Sequence, residues 1–298
     1  MLSVLPAPSL AERTTLRIGG TALAEVVLTE DEDVFRLEEV CARLGGAPYI
    51  LGAGSNILAQ DGELPLVLVR PHFQQQPVVV EKDADGALVR AGAGVRLPRL
   101  LGQCAAWGLS GLEGLCGIPG TVGGAVAINA GSFGCETARY LHSIRIYSPE
   151  IGIADIDRTH FSYNYRHFSV TGVHSWFLIL QATFVLTRSL RSGITGFMRR
   201  NFFKKKSIQP IAAWSAGCIF KNPSPENPAG KLLDMAGFKG KRLGGMAFSS
   251  LHANFLINEG RGSATAALEL MEQAREAVYG RFGIVLEPEV RIVPWPSN

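Results

Sequence analysis

Residues 108–134 read GLSGLEGLCGIPGTVGGAVAINAGSFG, and the reading of this stretch decides what kind of fold the chain can have. Gly108, Gly111, Gly114, Gly117, Gly120 and Gly123 recur at a period of three. A collagen triple helix is excluded, because six triplets with the single Pro119 cannot sustain one. What remains is a loop that folds closely around a ligand and presents its backbone N–H groups. A second candidate cradle lies upstream, where Leu51 runs into Gly52-Ala53-Gly54-Ser55-Asn56, although a plain tight turn would look the same. The Rossmann fingerprint would need GxGxxG entering a helix, whereas position 57 is Ile57 and the sequence stays strand-like. There is also no GxxxxGK[ST], which excludes a P-loop ATPase. Two such loops in one domain point to a large dinucleotide more strongly than either does alone.

Working outward, strands and helices alternate from the start of the chain to Ser110. Residues 24–28, 48–51, 66–69, 78–80 and 88–91 read as strands. Residues 30–44 read as a helix with Val34, Leu37, Cys41 and Leu44 on one face. A second helix, 97–107, places Leu97, Leu100, Leu101 and Cys104 together. This alternation argues an α/β layering. Beyond the glycine segment, 144–147 and 176–186 are strand-like, and 193–206 is helical, ending in Arg199, Arg200, Lys204, Lys205 and Lys206. A turn-rich stretch at 208–230 follows. Ser263 is placed to N-cap a helix over 264–280 with Leu268, Met271, Ala274 and Val278 inward. Strands at 284–286 and 290–293 close the chain. The composition change places a domain boundary at 190/191, giving a leader (1–18), an N-terminal domain (19–190) and a C-terminal domain (191–298).

Composition narrows the function. With 29 basic and 26 acidic side chains, the net charge of +3 is too balanced for a dedicated nucleic-acid binder. Five scattered cysteines (Cys41, Cys104, Cys116, Cys135, Cys218) form no CxxC, so neither a zinc site nor a redox dithiol is signalled. No cluster has metal-ligand spacing. The N-terminal stretch lacks a basic n-region and is interrupted by Pro6 and Pro8, which argues against a signal peptide. The longest apolar run, 176–186, is far too short to span a bilayer. The expectation is a cytoplasmic protein without membrane insertion, and a monomer.

Several polar residues stand out. Tyr163-Asn164-Tyr165-Arg166 sets an arginine after aromatics, although a surface arginine stacked on tyrosine would look the same. Cys218 lies between Gly217 and the pair Lys221-Asn222, where the plain alternative is a small buried hydrophobe. Glu287 and Glu289 flank Pro288 near a strand start, which is otherwise a solvated edge. His252 is as readily structural as functional.

Taken in order, TLRIGG (15–20), LGAGSNIL (51–58), GLEGLCGIPGTVGGAVAINAGSFG (111–134), YNYR (163–166), SAGCIFKNP (215–223), AGKLLDMAGFKGKRLGG (229–245), HANFLIN (252–258) and EPEVR (287–291) cover most of the chain. In these motifs the chain resembles the UDP-N-acetylenolpyruvoylglucosamine reductase (MurB) family of bacterial cell-wall synthesis. The short spacing from YNYR to SAGC is like the family's variant without a tyrosine-bearing insertion. The resemblance implies an α+β protein: an FAD-binding domain of the vanillyl-alcohol-oxidase (PCMH) type and a C-terminal α+β substrate-binding domain. It implies non-covalent FAD, NADPH as reductant, and the enolpyruvyl ether of UDP-N-acetylglucosamine, a nucleotide sugar, as substrate. By motif, Arg166 matches the arginine that steadies the substrate carboxylate, and Glu289 the carboxylate acting beside it. Cys218 stands where many members have a proton-donating serine. The cofactor would be held by Gly52, Ala53, Gly54, Ser55, Asn56 and Ile57, and by Gly117, Ile118, Pro119, Gly120, Thr121, Gly123, Gly124, Ala125 and Gly131. Tyr165, Lys206, Lys221 and Asn222 would meet the substrate.

The chemistry agrees with these residues. Hydride addition to an enol ether is difficult unless the conjugated carboxylate can accept negative charge. A guanidinium binds a carboxylate bidentately and keeps its proton. Another flavin oxidoreductase of the same fold would need a different C-terminal half. A non-catalytic nucleotide-sugar binder would have no use for Arg166 and Glu289.

Overall fold

The computed structural model describes residues 2–294. The chain divides into two compact units that are not contiguous in sequence. The first is built mainly from Val26–Ala53 and Leu68–Lys204; the second takes Leu5–Glu25, Gly54–Val67 and the chain from Lys205 on. The sequence reading makes one cut, at 190/191, and separates off a leader over 1–18. That stretch is no separate leader: it carries the helix Leu10–Arg13 and buries Leu10, Leu16 and Ile18.

In the first unit, the strand Leu178–Arg188 organises the main sheet. Its neighbours, in order, are Leu141–Ser148 and then Gly152–Asp157 on one side, and Gly86–Gly92 and then Val78–Lys82 on the other. Leu109–Ser110 pairs with its far end. All these ladders are antiparallel. The layering is therefore α+β, and the α/β reading of the N-terminal third gives way, because antiparallel neighbours need no crossover helix. Leu178, Leu180, Ala182, Phe184 and Leu186 are all buried. The helix Leu97–Ala106 turns Leu97, Leu100, Leu101 and Cys104 inward as its spacing requires.

Two local readings change. The helix expected over 30–44 is a 3-10 turn, Asp31–Arg36, followed by an α-helix, Leu37–Leu44. Asp33 caps this first turn: its Oδ2 accepts the N–H groups of Thr29 and Glu30 at 2.9 and 3.2 Å. Within the glycine stretch, Val122–Ala127 is a short helix rather than open loop, with the Thr121 hydroxyl accepting from Gly124 N.

The second unit has its own sheet, ordered Trp214–Cys218, Phe255–Asn258, Met246–Phe248, Arg242–Leu243. Helices Ala229–Met235 and Ala264–Phe282 contribute Leu232, Leu233, Leu270, Met271, Ala274 and Val278 to a core shared with Phe220, Phe238 and Phe248. Ser263 caps the long helix as read, accepting from Ala266 N at 3.1 Å, while Leu268 is only half-buried. No ladder forms at 284–286. Pairing there starts later, at the Phe220–Pro288 bridge, followed by Arg291–Val293 running parallel to Ile57–Ala59.

Candidate active site

The first unit carries most of the expected cradle. Backbone hydrogen bonds lock the segment 120–123 onto its neighbour: Leu97 N–H to Gly120 O, Val122 N–H to Val95 O, and Gly123 N–H to Ala93 O, each 2.9 Å. A Cβ on Gly52 would stand 2.9 Å from Thr121 Oγ1, and one on Gly123 would stand 2.8 Å from Ala93 Cβ. Bare backbone is thus required where residue 52 and the segment 117–125 come together. The period of three has no single cause. Gly114 is wanted because a Cβ would run into Cys135, and Gly111 because one would meet the Tyr140 ring.

Arg166 follows Tyr165 in the turn of the hairpin Phe161–Asn164/His167–Val170. Its φ is +58°, a left-handed backbone that is rare for a side chain of this size. Its Nη2 donates to the carbonyl of Gly131 at 3.2 Å, and its guanidinium carbon lies 4.9 Å from the centre of the Tyr165 ring. The half-buried Arg166 is thus brought to Gly131, near the far end of the glycine segment.

The second unit gathers Cys218, Lys221, Asn222, Glu289 and Asn56. The ladder slips between Ser215 and Cys218, where Gly217 takes a φ of +79°. A bulge of this kind re-aims the side chain that follows it, and Cys218 is half-buried there. Ile219 joins this segment to the C-terminal one, because its carbonyl accepts from Glu289 N at 2.7 Å. The Asn56 amide donates to the Glu289 carbonyl at 3.1 Å, and Asn56 O accepts from Arg291 N. Gly54, at φ +65°, lies so close to the Arg13 carbonyl that no Cβ fits. Two of the expected substrate residues have internal partners: Lys221 Nζ pairs with Glu287 at 3.1 Å, and Asn222 Oδ1 accepts from Ala229 N at 3.0 Å. Lys206 is exposed, whereas its neighbour Lys205 is buried.

Comparison with known proteins gives this arrangement a family. Residues 22–150 match the family described as FAD binding domain, and 209–293 match the C-terminal domain of UDP-N-acetylenolpyruvoylglucosamine reductase. Over 99% of its length the chain is 55% identical to a UDP-N-acetylenolpyruvoylglucosamine reductase of Nitratidesulfovibrio vulgaris, covering 100% of that protein. A relative of the same name in Oleidesulfovibrio alaskensis is 51% identical, with 98% of each chain covered. The crystal structure of the Thermus caldophilus reductase (MurB) matches with a TM-score of 0.80 at 31% identity, covering 99% of both chains. This chain belongs to the UDP-N-acetylenolpyruvoylglucosamine reductase family.

The family's FAD suits the residues present. At Gly52 and Gly123 the chain packs too closely on Thr121 and Ala93 to carry side chains, which leaves main chain there, and the segment 117–131 includes no carboxylate to repel a pyrophosphate. In a MurB chain, the thiols also separate by environment. Burial, helped by the charge of Glu113, pushes Cys104 and Cys135 up to about 12, so neither is a source of thiolate. Burial likewise lowers His252, whose Nδ1 accepts from Asn254 N at 3.2 Å, in keeping with a structural histidine.

Two organising residues escape the sequence reading. Asn254, 2% exposed, clamps Phe220: its Oδ1 accepts from Phe220 N at 3.0 Å and its Nδ2 donates to Phe220 O at 2.8 Å. Asn129 is fully buried and bonds to Ala138, Asn164 and Glu136. Their signal was an asparagine inside an apolar run, AINA and HANF, because a buried amide must find partners.

Proposed function

We propose that this chain catalyses the NADPH-dependent reduction of UDP-N-acetylglucosamine enolpyruvate to UDP-N-acetylmuramate, a step of peptidoglycan biosynthesis. The observation that carries this is the end-to-end identity of 55% to a reductase of that name. FAD would be held non-covalently by the main chain of residues 52–57 and of the segment 117–131. When bound, it supplies a hydride, taken from NADPH, to C3 of the enolpyruvyl double bond. The rest of the chemistry falls to side chains. Arg166 binds the conjugated carboxylate with both arms of its fork and faces the negative charge that develops there. The Tyr165 ring offers the guanidinium a cation–π contact at 4.9 Å. Cys218 gives C2 its proton, since a thiol is mostly protonated at neutral pH. Glu289 supplies the carboxylate of the site, held through Ile219 and Asn56.

Lys206 and Lys221 would meet the diphosphate, with the Asn222 amide nitrogen beside them. Exchanging Glu287 for a phosphate costs Lys221 little, because Glu287 is 71% exposed and surface pairs of this kind are worth about 0–1 kcal/mol. Flavin binding is assigned chiefly to residues 19–190 and substrate binding chiefly to 191–298. Among the described residues no helix is long and apolar enough to cross a membrane. A monomer that works in the cytoplasm and binds no nucleic acid completes the reading.

The test is an anaerobic spectrum of the purified protein. NADPH should bleach the flavin bands, and the enolpyruvyl nucleotide sugar should restore them without oxygen. A colourless protein that takes up no flavin from solution would end the reading. Flavin that stays on acid-precipitated polypeptide would refute non-covalent binding, and reoxidation by oxygen alone would favour an oxidase.

A further inference from the structure

We propose that Asn129 is a positioning residue for Arg166, an inference that rests on the role given to Arg166 above. The two residues are linked by a double grip. The Asn129 amide nitrogen donates to the carbonyl of Asn164 at 2.9 Å, immediately before Tyr165-Arg166 in the hairpin turn. Just beyond Asn129 and Ala130, the Gly131 carbonyl accepts from the Arg166 guanidinium at 3.2 Å. The chain from 129 to 131 therefore holds the turn once by its backbone and once by its functional side chain.

Backbone conformation strengthens the link. Among the described non-glycine residues, Asn129 (φ +42°) and Arg166 (φ +58°) are two of the five in the left-handed region. Asparagine tolerates that region, whereas an arginine adopts it only where its surroundings impose it. Asn129 can impose it because it is itself fixed. Its Oδ1 accepts from Ala138 N at 3.0 Å, its Nδ2 also reaches Glu136 Oε2 at 3.3 Å, and it is completely buried. Without the amide, the Asn164 carbonyl loses this donor and the turn can relax. A misplacement of about 1 Å at a group that positions substrate costs on the order of 10²-fold in rate.

The test uses FAD-loaded enzyme, followed anaerobically by stopped-flow absorbance in its two half-reactions. Asn129→Gly keeps the left-handed backbone and removes the amide. It should slow substrate-driven reoxidation about 10–100-fold and leave NADPH-driven bleaching within about twofold, since NADPH does not call on Arg166 as a carboxylate clamp. Asn129→Ser, whose hydroxyl can still donate, should fall between, and it carries the test if the glycine variant does not fold. In an Arg166→Lys background, Asn129→Gly should change reoxidation by less than about threefold, because coupled residues do not add. Hydrogen exchange in the 161–170 hairpin should rise in Asn129→Gly with or without flavin.

Thr137→Val is the control. It removes a buried hydrogen bond to the Ala130 carbonyl, which keeps a partner in Thr137 N–H, and it should leave both half-reactions unchanged. Equal slowing of both half-reactions, equal effects in the two Arg166 backgrounds, or slowing by Thr137→Val to match would overturn the positioning role. Normal reoxidation by Arg166→Lys alone would instead remove the role of Arg166 itself, and with it the positioning role of Asn129.

Discussion

The segment 120–123 and the junction of 218–222 with 287–291 both hold irregular chain still, with different shares of main chain and side chain. The first does it with main chain against main chain: Gly120, Val122 and Gly123 bond directly to Leu97, Val95 and Ala93, and at Gly123 the approach is one a Cβ would not permit. The second adds side-chain amides to its main-chain bonds, Glu289 N to Ile219 O and Lys221 N to Glu287 O. Asn254 grips both backbone groups of Phe220, Asn56 holds the Glu289 carbonyl, and Asn222 caps Ala229. The difference teaches what each region can tolerate. A backbone-built cradle fails when atoms are added, while an amide-built junction fails when a donor or acceptor is removed.

The largest expected effect belongs to the amide-built junction. Cys218→Ala removes the proposed proton donor without adding volume. Substrate-driven reoxidation should fall by about 10²–10⁴-fold, the usual worth of a positioned general acid, while reduction by NADPH stays near normal. Cys218→Ser should keep substantial activity, since it offers a short O–H donor from the same Cβ. Unchanged reoxidation in the alanine variant would make Cys218 a packing residue and leave the junction without a donor.

On the other side of the comparison, Arg166→Lys keeps the charge and loses the fork. Reoxidation should slow by about 10²–10³-fold, the loss typical of removing a preorganised donor at developing charge. Near-normal turnover would take Arg166 out of the chemistry and leave its left-handed turn unexplained. Gly123→Ala acts on the cradle itself. Its new Cβ would stand 2.8 Å from that of Ala93 and 3.3 Å from Ala93 O. A loss of about 1–3 kcal/mol in unfolding free energy is expected from such overpacking, together with weaker flavin retention on gel filtration. Full flavin and an unchanged thermal midpoint would show that the segment can move aside.

How much of this was legible in the sequence follows the same division. The close packing of the glycine segment was legible because a missing side chain is itself a visible letter. The inward face of Leu97–Ala106 and the Ser263 cap were legible because each depends on near neighbours along the chain, three or four positions apart. The helix Val122–Ala127 was hidden because Gly123 and Gly124 argue against a helix that a Thr121 cap and packing on Ala93 nonetheless impose. The stretch 1–18 read as leader because nothing local shows that Leu16 and Ile18 join a core with Phe220 and Phe248. Asn129 and Asn254 were missed for a related reason. Their partners, at Asn164 and Phe220, are remote in the chain, and a single sequence shows the donor without its acceptor.

The smallest effect separates the two regions by pH. Asp61 joins the side-chain-held group: its Oδ1 accepts from Ala264 N at 3.0 Å, and its Oδ2 from the N–H and hydroxyl of Thr265 at 2.9 and 3.0 Å. These amides belong to the first turn of the helix Ala264–Phe282, where a carboxylate also meets the positive end of the helix dipole. Partial burial pushes the Asp61 carboxyl up, but the hydrogen bonds from Thr265 and Ala264 outweigh it and hold it below the usual range. A folded-state pKa depressed in this way means that the carboxylate, not the acid, favours the fold. Its contribution is present above the unfolded value, about 3.9, and is lost as the pH falls toward the folded one. Asp61→Ala should therefore cost about 0.5–2 kcal/mol near pH 7, as for a lost cap, and the gap from the parent should begin to close only as the pH drops below about 4. Gly123→Ala involves no titrating group, so its deficit should stay constant over the same range. Thermal midpoints from about pH 3 to 7, a range that brackets the ordinary carboxylate value, check both; an Asp61→Ala deficit that does not shrink in acid would show that the carboxylate's charge contributes nothing to holding that helix.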